Sequence, residues 1–256
     1  MKKSEHVTPQ QGVGGRRLPD LVAVMEEVQR WRRQLWLSGA LEELGRRLSR
    51  RCAVGWQVEF TSTSGSAGSI AADVRDAASV GAAFAEAERR LGGLDCVVVS
   101  AGINVPPAPL ANFDDANFWA LVETNIVGAY NALKAAAQKV QDGGTIIVLT
   151  TSLVRHAVPG VGPYAATKAA VETMVRSLAR ELAGRGVRVN CVAPGPVDTD
   201  LFRSGKDEAA IARSAAMSPF NRVGRPEEIG NVIAFLASDK ASWISGQIIQ
   251  PNGGLV

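Results

Sequence analysis

Hydrophobic residues along the chain follow two periodicities, which alternate from about residue 70 onward. Segments 94–100 and 145–150 are nearly continuous apolar runs, as expected for strands buried on both faces of a sheet. Between Ala77 and Leu91 the apolar residues return every three or four positions, which predicts one buried helical face. The same patterns predict further helices over 114–140, with Val127 and Tyr130 among its buried residues, over 162–182 and from Pro226. They also predict further strands over 69–74, 187–192 and 247–250.

This alternation of strands and helices predicts the fold class. Strand–helix–strand units pack as a parallel sheet with helices on both faces, so we expect a single α/β domain with a Rossmann-like, doubly wound sheet. The domain is expected over residues 21–256, after a flexible polar leader at 1–20, and it includes a polar, partly helical excursion at 198–223. Such sheets bind ligands at the carboxyl ends of their strands, where Gly102 and segment 194–199 are expected.

Composition and charge exclude several classes of protein. With 46% hydrophobic and 21% charged residues, the chain is too apolar for wholesale disorder. Its apolar runs are far shorter than the roughly 20 residues of a membrane span, and no apolar stretch typical of a signal peptide follows Met1. A net charge of +3 does not indicate nucleic-acid binding.

Cysteine and histidine usage predicts no metal site. Cys52, Cys96 and Cys191 are far apart in sequence, no Cys-x-x-Cys pair occurs, and His6 and His156 are isolated. A sparse, odd number of cysteines is typical of a reducing compartment, so we expect the protein in the cytoplasm.

Tyr164 and Lys168 are the most informative pair of residues. Their spacing puts them one turn apart on one face of the helix predicted over 162–182. A tyrosine with its ordinary pKa of about 10 is a poor acid–base catalyst at neutral pH, whereas a fixed ammonium nearby lowers that pKa. The alternative is an ordinary pair on a helix surface, because Tyr-x-x-x-Lys also arises by chance.

Several motifs surround this pair in a fixed order. They are Val99-Ser100-Ala101-Gly102, Thr150-Thr151-Ser152, Tyr164-Ala-Ala-Thr-Lys168 and Asn190-Cys-Val-Ala-Pro194-Gly195-Pro196-Val-Asp-Thr199. In these motifs the chain resembles the classical short-chain dehydrogenase/reductase family from about residue 68 to residue 256. The ending Gly246-Gln-Ile-Ile-Gln-Pro-Asn-Gly-Gly is similar to the 3-oxoacyl-[acyl-carrier-protein] reductase branch of that family.

The resemblance implies catalytic roles for four residues. Tyr164 matches the acid/base that protonates the carbonyl oxygen, and Lys168 matches the residue that lowers the tyrosine pKa and bonds the nicotinamide ribose. Ser152 matches the serine that orients the substrate carbonyl, because it lies 27 residues after Asn125, the usual family spacing. Ser152 is one residue too close to Tyr164, and strict counting from Tyr164 selects Thr151, but the spacing from Asn125 favours Ser152 and places a one-residue deletion in loop 153–163. Asn125 matches the asparagine that holds a proton-relay water.

The resemblance also implies cofactor-binding residues at the carboxyl ends of the strands. Asp73 and Val74 match a pair that contacts adenine, and Ser100-Ala101-Gly102 matches Asn-Ala-Gly with a serine in place of the asparagine. The segment that contacts the nicotinamide carboxamide and the pyrophosphate supplies Pro194, Gly195, Val197 and Thr199. Segment 198–223 then matches the substrate lid.

The family's glycine-rich phosphate loop, Thr-Gly-x-x-x-Gly-x-Gly, does not occur in the chain. Such glycines let backbone N–H groups approach a pyrophosphate closely. Family spacing back from Asp73 puts the first strand at 21–25, where Glu26 and Glu27 follow and would repel phosphates. A second register puts the strand at 34–37, followed by Ser38-Gly39-Ala40.

Three explanations of this departure remain open from the sequence. The chain is a relative that binds its cofactor poorly, or it holds the phosphates with arginines of segment 30–51, or segment 26–68 carries an altered reading frame. We therefore expect that dinucleotide affinity is weak for this family, or that the pyrophosphate follows a path that the family does not use.

Two hypotheses about function follow. The first is an NAD(P)-dependent oxidoreductase of the carbonyl reductase type, which transfers a hydride between a nicotinamide cofactor and a ketone or secondary alcohol. The alternative is a protein of the same fold with impaired cofactor binding that acts as a non-catalytic partner or ligand sensor. The second strand, expected over 56–61, ends in hydroxyl residues without a carboxylate, which slightly favours NADP over NAD.

The resemblance also predicts the partners of the chain. We expect a small carbonyl or alcohol substrate, and neither a nucleic acid nor a membrane. Family members assemble through the helices that correspond to 114–140 and 162–184, so a homodimer or homotetramer is expected.

Overall fold

The computed structural model describes residues 33–38, 56–62 and 69–256. Its strands are β1 (Arg33–Ser38), β2 (Trp56–Ser62), β3 (Ile70–Ala71), β4 (Leu94–Val99), β5 (Val140–Leu149), β6 (Arg188–Val192) and β7 (Ile248–Ile249). Its helices are α1 (Ala77–Leu91), α2 (Asp115–Leu121), α3 (Gly128–Lys139), α4 (Gly162–Glu181), α5 (Asp200–Arg203), α6 (Glu208–Ala216) and α7 (Pro226–Ala237).

The described strands form one parallel sheet in the order β3-β2-β1-β4-β5-β6-β7. The order reverses at β1, where the chain crosses from one half of the sheet to the other, and ligands of such sheets bind at this kind of position. Register aligns the strand ends: Ser38 is opposite Val99, Val99 is opposite Val148, and Leu149 is opposite Val192. The carboxyl ends therefore form one edge.

Both faces of the sheet are covered, as the apolar runs predict. Val97 and Val99 of β4 lie in a cluster with α1, α3 and α4, while Cys96 and Val98 lie in a second cluster with α7. Successive residues of β4 thus point to opposite faces of the sheet, and both faces are buried. A strand in this position must be apolar at successive residues, which explains the unbroken apolar run. The α/β, Rossmann-like fold class is confirmed.

Most of the predicted elements lie close to their expected positions. Helix α1 has the predicted bounds, with Asp76 accepting a hydrogen bond from the Ala78 amide at its start and Gly92 ending it in the left-handed region. Strand β1 contains the second of the two registers, 34–37. The first register, at 21–25, lies outside the described residues, as do the leader at 1–20 and most of segment 30–51.

The helix expected over 114–140 is interrupted. A π-helical turn (Val122–Val127) separates α2 from α3, and β5 begins directly after α3, at Val140 rather than at 145. The buried side of the helix nevertheless continues through the π turn, because Leu121, Asn125, Ala129 and Leu133 are all buried and follow one another at steps of four. Val127 and Tyr130, expected to be buried, lie off this face and are 40% and 50% exposed.

Within the described part of the chain, no helix is long and apolar enough to cross a membrane.

Candidate functional site

Tyr164 and Lys168 lie in the first turns of α4. The helix begins at Gly162, and Pro163 occupies its first turn, where a missing N–H removes no helical hydrogen bond. Lys168 is only 6% exposed and Tyr164 is partly exposed. Burial disfavours the charged form of both groups: it lowers the pKa of Lys168 to about 8 and raises the pKa of Tyr164 to about 12. The effect on Tyr164 is opposite to the lowering expected from a nearby ammonium.

The Lys168 ammonium lies at the carboxyl ends of two neighbouring strands. It donates a 3.3 Å hydrogen bond to the carbonyl oxygen of Leu149, the last residue of β5. Gly102 follows β4, and a Cβ atom built on it would lie 2.8 Å from the Lys168 nitrogen and 3.2 Å from Asn125 Oδ1. A side chain at position 102 would therefore collide with both groups, which explains the glycine.

Asn125 lies in the π turn and is fully buried. Its side chain exchanges two hydrogen bonds with the backbone of Ile103: the Ile103 amide donates to Oδ1 at 2.8 Å, and Nδ2 donates to the carbonyl at 3.0 Å. Nδ2 also donates to Thr167 Oγ1 at 3.2 Å, and Thr167 donates to the Tyr164 carbonyl at 2.7 Å. Asn125 thus joins the loop after β4 to the helical turn that carries Tyr164 and Lys168.

Thr151 and Ser152 have different environments. Ser152 is fully buried, donates its hydroxyl proton to the Ala193 carbonyl at 2.8 Å and accepts a hydrogen bond from Asn252 Nδ2 at 3.2 Å. Thr151 is 8% exposed, and its hydroxyl oxygen accepts a hydrogen bond from the Leu153 amide at 3.3 Å. The single proton of Ser152 is therefore already used, whereas none of the hydrogen bonds described for Thr151 uses its proton.

Asp73 and Val74 follow the short strand β3. Arg75 holds the Asp73 carboxylate with three side-chain hydrogen bonds and an amide hydrogen bond, which keep its pKa well below the usual range, at about 2. The Val74 carbonyl accepts from Asn131 Nδ2 at 2.9 Å, and a Cβ built on Gly128 would lie 2.6 Å from the Val74 side chain. Helix α3 therefore fixes the backbone at this end of the sheet.

The remaining predicted cofactor residues lie at the ends of β4 and β6. Ala101 is 8% exposed beside Gly102, and Pro194 accepts a backbone hydrogen bond from Ser152 at 2.9 Å. Gly195 packs against Asn252, because a Cβ there would lie 3.0 Å from the Asn252 Cα. Val197 pairs with Gly224 in an isolated bridge.

Segment 198–223 leaves the sheet and returns to it at one point. The Asp198 amide donates to the Gly224 carbonyl at 2.9 Å, and the Gly224 amide donates to the Pro196 carbonyl at 2.8 Å. Thr199 accepts a hydrogen bond from the Phe202 amide at 3.2 Å, which caps α5. The segment is thus closed at its base and carries the short helices α5 and α6.

The structure adds site residues that the sequence analysis did not select. Asn252, from the C-terminal turn, reaches Ser152, which is 100 positions away. Glu172, in α4 and only 2% exposed, accepts hydrogen bonds from Thr150 at 3.2 Å and from Arg155 at 3.1 Å. The position of Glu172, one helical turn after Lys168, could have indicated from the sequence that it lies near the site. No sequence periodicity connects Asn252 to Ser152.

A nicotinamide–ribose group is compatible with the residues that converge here. The Lys168 ammonium has three N–H donors, and the structure describes one hydrogen bond from it, beside a glycine that leaves room. Residues 39–55, which follow β1 in sequence, lie outside the described part of the chain. Among the described residues, no group of three His, Cys, Asp or Glu side chains is arranged to hold a metal ion.

Comparisons with known proteins agree with this geometry. Residues 55–256 match the family described as enoyl-(acyl carrier protein) reductase. A short-chain type dehydrogenase/reductase from Picea abies is 42% identical over 188 residues, which are 72% of this chain and 69% of that protein. An NADPH-dependent aldehyde reductase-like chloroplastic protein from Arabidopsis thaliana is 46% identical over 163 residues, which are 62% of this chain and 60% of that protein.

A solved structure extends the likeness to a larger part of the chain. The blue fluorescent protein from a metagenomic library, in complex with NADPH, has a TM-score of 0.79 and is 30% identical, with coverage of 88% of this chain and 98% of that chain. The family match spans most of the chain and includes Tyr164, Lys168 and the strand ends around them. The chain therefore belongs to the classical short-chain dehydrogenase/reductase family, and it is a nicotinamide-dependent oxidoreductase that acts on a carbonyl or alcohol group.

Proposed function

We propose that this oxidoreductase is an NADPH-dependent carbonyl reductase in which Tyr164 donates the proton to the substrate oxygen. The observation that carries the proposal is the convergence of the Lys168 ammonium, Gly102 and Asn125 at the carboxyl ends of β4 and β5. The cofactor, when bound, supplies the hydride. The reduction also requires that cofactor and substrate are bound and oriented and that a proton is donated, and the side chains of this chain would provide these.

The ionisation of Tyr164 supports the reductive direction. With a pKa of about 12, its phenol keeps its proton at neutral pH and is ready to donate it. Lys168, with a pKa of about 8, is largely protonated at neutral pH and would bond the ribose through the N–H groups not directed at Leu149. As the oxygen of the carbonyl becomes negative, the ammonium stabilises it and the tyrosinate that remains.

We assign the substrate-orienting hydroxyl to Thr151 rather than to Ser152. A carbonyl oxygen needs a donor, and the Ser152 proton is directed to the Ala193 carbonyl. The one-residue difference in spacing then lies between Asn125 and Thr151, not in the loop before Tyr164. Thr151→Ala should lower turnover more than Ser152→Ala, and the reverse order would restore the Ser152 assignment.

The same proposal gives roles to the residues around the cofactor. Asn125 holds a proton-relay water, and Asp73 and Val74 contact adenine. The nicotinamide half and the pyrophosphate would be contacted by Ala101, Gly102, Lys168, Pro194, Gly195, Val197 and Thr199. Segment 198–223 would close over the substrate, with its ends held by the hydrogen bond from Gly224 to Pro196 and by the hydrogen bond from Ser218 to Gly253.

The preference for NADPH over NADH rests on the end of β2. The strand ends with Thr61-Ser62 and carries no carboxylate there to bond the two ribose hydroxyls. The Arabidopsis relative is NADPH-dependent by name. The ratio of kcat/KM for the two cofactors with one aldehyde tests this preference, and a higher value for NADH would contradict it.

We further propose a homodimer or homotetramer that pairs α2, α3 and α4 of two copies. Phe118 and Trp119 of α2, Val127 of the π turn and Tyr130 of α3 are large apolar side chains that are 39–59% exposed. Light scattering on the wild type and on Trp119→Glu would test the interface, and an unchanged mass would contradict it. For its compartment we propose the cytoplasm, because Cys96 and Cys191 are buried free thiols.

Tyr164→Phe tests the central proposal. The variant removes one hydroxyl and should lower turnover by at least about 100-fold, because general acid catalysis contributes 10²–10⁴-fold. Tyr130→Phe is the matched control, since it removes an exposed hydroxyl on α3. Retention of more than about a tenth of the wild-type rate in Tyr164→Phe would overturn the assignment.

A further inference from the structure

The turn that contains Asn252 contacts the end of β5. Asn252 is 8% exposed, and its Nδ2 donates to Ser152 Oγ at 3.2 Å. The Ser152 hydroxyl in turn donates a hydrogen bond of 2.8 Å to the carbonyl of Ala193, which follows β6. Three segments that are remote in sequence are therefore joined by two consecutive side-chain hydrogen bonds.

The other end of the Asn252 amide fixes the turn itself. Its Oδ1 accepts hydrogen bonds from the amides of Gly254 at 3.0 Å and Leu255 at 3.2 Å. Next to it, the Gly195 amide donates to the Pro251 carbonyl at 3.3 Å. The Asn252 side chain is thus oriented by the backbone on one side and holds Ser152 on the other.

The same turn contacts the end of segment 198–223. Ser218 is 7% exposed and donates to the Gly253 carbonyl at 2.7 Å. Gly253 has a φ of 66°, and a Cβ on it would lie 2.6 Å from Ser218 Oγ. Only a glycine permits this close approach, so the turn and the proposed lid are packed against each other.

We propose that Asn252 is a positioning residue that acts through Ser152. It holds the Ser152 hydroxyl on the Ala193 carbonyl and fixes the adjacent Thr151 for the substrate oxygen. Its turn also joins this end of β5 to the last part of segment 198–223, through Ser218. The inference rests on the proposed function, because it takes Thr151 as the residue that contacts the substrate.

Asn252→Asp separates the two halves of this role. The aspartate keeps the oxygen that accepts from Gly254 and Leu255, so the turn retains its hydrogen bonds. It replaces the Nδ2 donor with an acceptor, so the Ser152 proton turns from Ala193 toward the new carboxylate. Ser152→Ala removes the hydrogen bond between Asn252 and Ser152 by deleting the Ser152 hydroxyl. In the double variant there is no hydroxyl for the new aspartate to reorient.

The experiment is a double-mutant cycle on kcat, with NADPH binding followed by fluorescence. Each single variant should lower kcat by about tenfold, and the double variant should be no slower than the slower single variant, as coupled residues require. The dissociation constant for NADPH should stay within about twofold of the wild-type value. The pH dependence of kcat should keep its shape, because Tyr164 and Lys168 are unchanged. Ser177→Ala, which removes an exposed hydroxyl bonded to Glu181 on α4, is the matched control.

Two results would overturn the inference. One is a kcat that falls about a hundredfold in the double variant, as two independent sites would give. The other is a kcat within twofold of the wild-type value in the single variants. Thr151→Ala, measured alongside, separates this failure from failure of the proposed function. If Thr151→Ala is damaging and the cycle shows no coupling, only the role of Asn252 fails; if Thr151→Ala is harmless, the proposed substrate contact fails as well.

Hydrogen exchange gives a readout that does not depend on turnover or on the folding of Asn252→Asp. In Ser152→Ala, the amides of Gly254 and Leu255 should exchange faster, because Asn252 loses its partner and holds them less firmly. Unchanged exchange at these two amides would overturn the inference.

Discussion

Lys168 directs its ammonium at the carbonyl oxygen of Leu149, 3.3 Å away, in a position that is almost closed to solvent. Burial holds the pKa of Lys168 at about 8, below its ordinary value of 10.5. The side chain is therefore charged below about pH 8 and neutral above it. This places a titration within the range where enzymes are assayed.

The reduction rate should depend on this titration. We expect kcat/KM for carbonyl reduction to fall as the pH rises through about 8, because the ammonium that stabilises the developing negative charge loses its proton. Tyr164, with a pKa of about 12, remains a proton donor over the same range. Initial rates between pH 6 and 10 measure this, and a rate that stays level through pH 9 would contradict the role of Lys168.

The same burial predicts a gain in stability when Lys168 is removed. Lys168 keeps its proton up to about pH 10.5 in the unfolded chain but only up to about pH 8 in the folded chain. Its burial therefore lowers the free energy of unfolding, and this loss of stability has its full size below pH 8. Lys168→Met should raise that free energy by up to about 3 kcal/mol at pH 7 while turnover is lost.

Denaturant unfolding at two pH values distinguishes this effect from ordinary packing. The gain in Lys168→Met should shrink between pH 8 and 10.5, because the wild-type chain itself becomes more stable as the folded lysine loses its proton first. A gain of the same size at both pH values would indicate better packing instead of relief from a buried charge.

Arg155 and Glu172 form a second pair with unequal burial. The Glu172 side chain is 3% exposed and that of Arg155 is 35% exposed. Arg155→Ala leaves a buried carboxylate without its cation and should cost about 3 kcal/mol of stability, whereas the double variant with Glu172→Gln should recover much of that loss. Unfolding by urea measures both, and two losses that simply add would show that the residues do not interact.

Dinucleotide affinity should be weak for this family. Strand β1 ends at Ser38, and the residues after it read Gly39-Ala-Leu-Glu-Glu-Leu-Gly45 in place of the family's three-glycine loop. Fewer glycines leave less room for the pyrophosphate to approach backbone N–H groups. Calorimetry with NADPH and NADH tests this, and a sub-micromolar dissociation constant for either cofactor would contradict it.

The sequence predicted those parts of the fold that depend on local periodicity. Helix α1 has the predicted bounds, and the i, i+4 spacing of Tyr164 and Lys168 is helical as expected. The exposure of Tyr130 was not predicted, because a large apolar side chain on a helix can also lie at the surface, and the residue type does not distinguish the two positions.

Contacts between remote segments were out of reach for a different reason. Asn252 and Ser152 are brought together by the neighbouring strands β5, β6 and β7, and nothing in either local sequence specifies that partner. The same applies to the contact behind the proposed assignment of Thr151: spacing along the chain is ambiguous by one residue, and nothing in the local sequence specifies that the Ser152 hydroxyl bonds the Ala193 carbonyl.

The π turn Val122–Val127 has a consequence for how this segment tolerates changes in length. A π turn contains one residue more than the α-helical turn it replaces, so loss of any one residue here would let the helix relax to regular geometry. Asn125 would then rotate away from the backbone of Ile103, and α3 would turn by about 100° against the sheet. Homologous chains should therefore vary freely in residue type at the exposed positions of this turn, but not in the number of residues between Asp114 and Gly128.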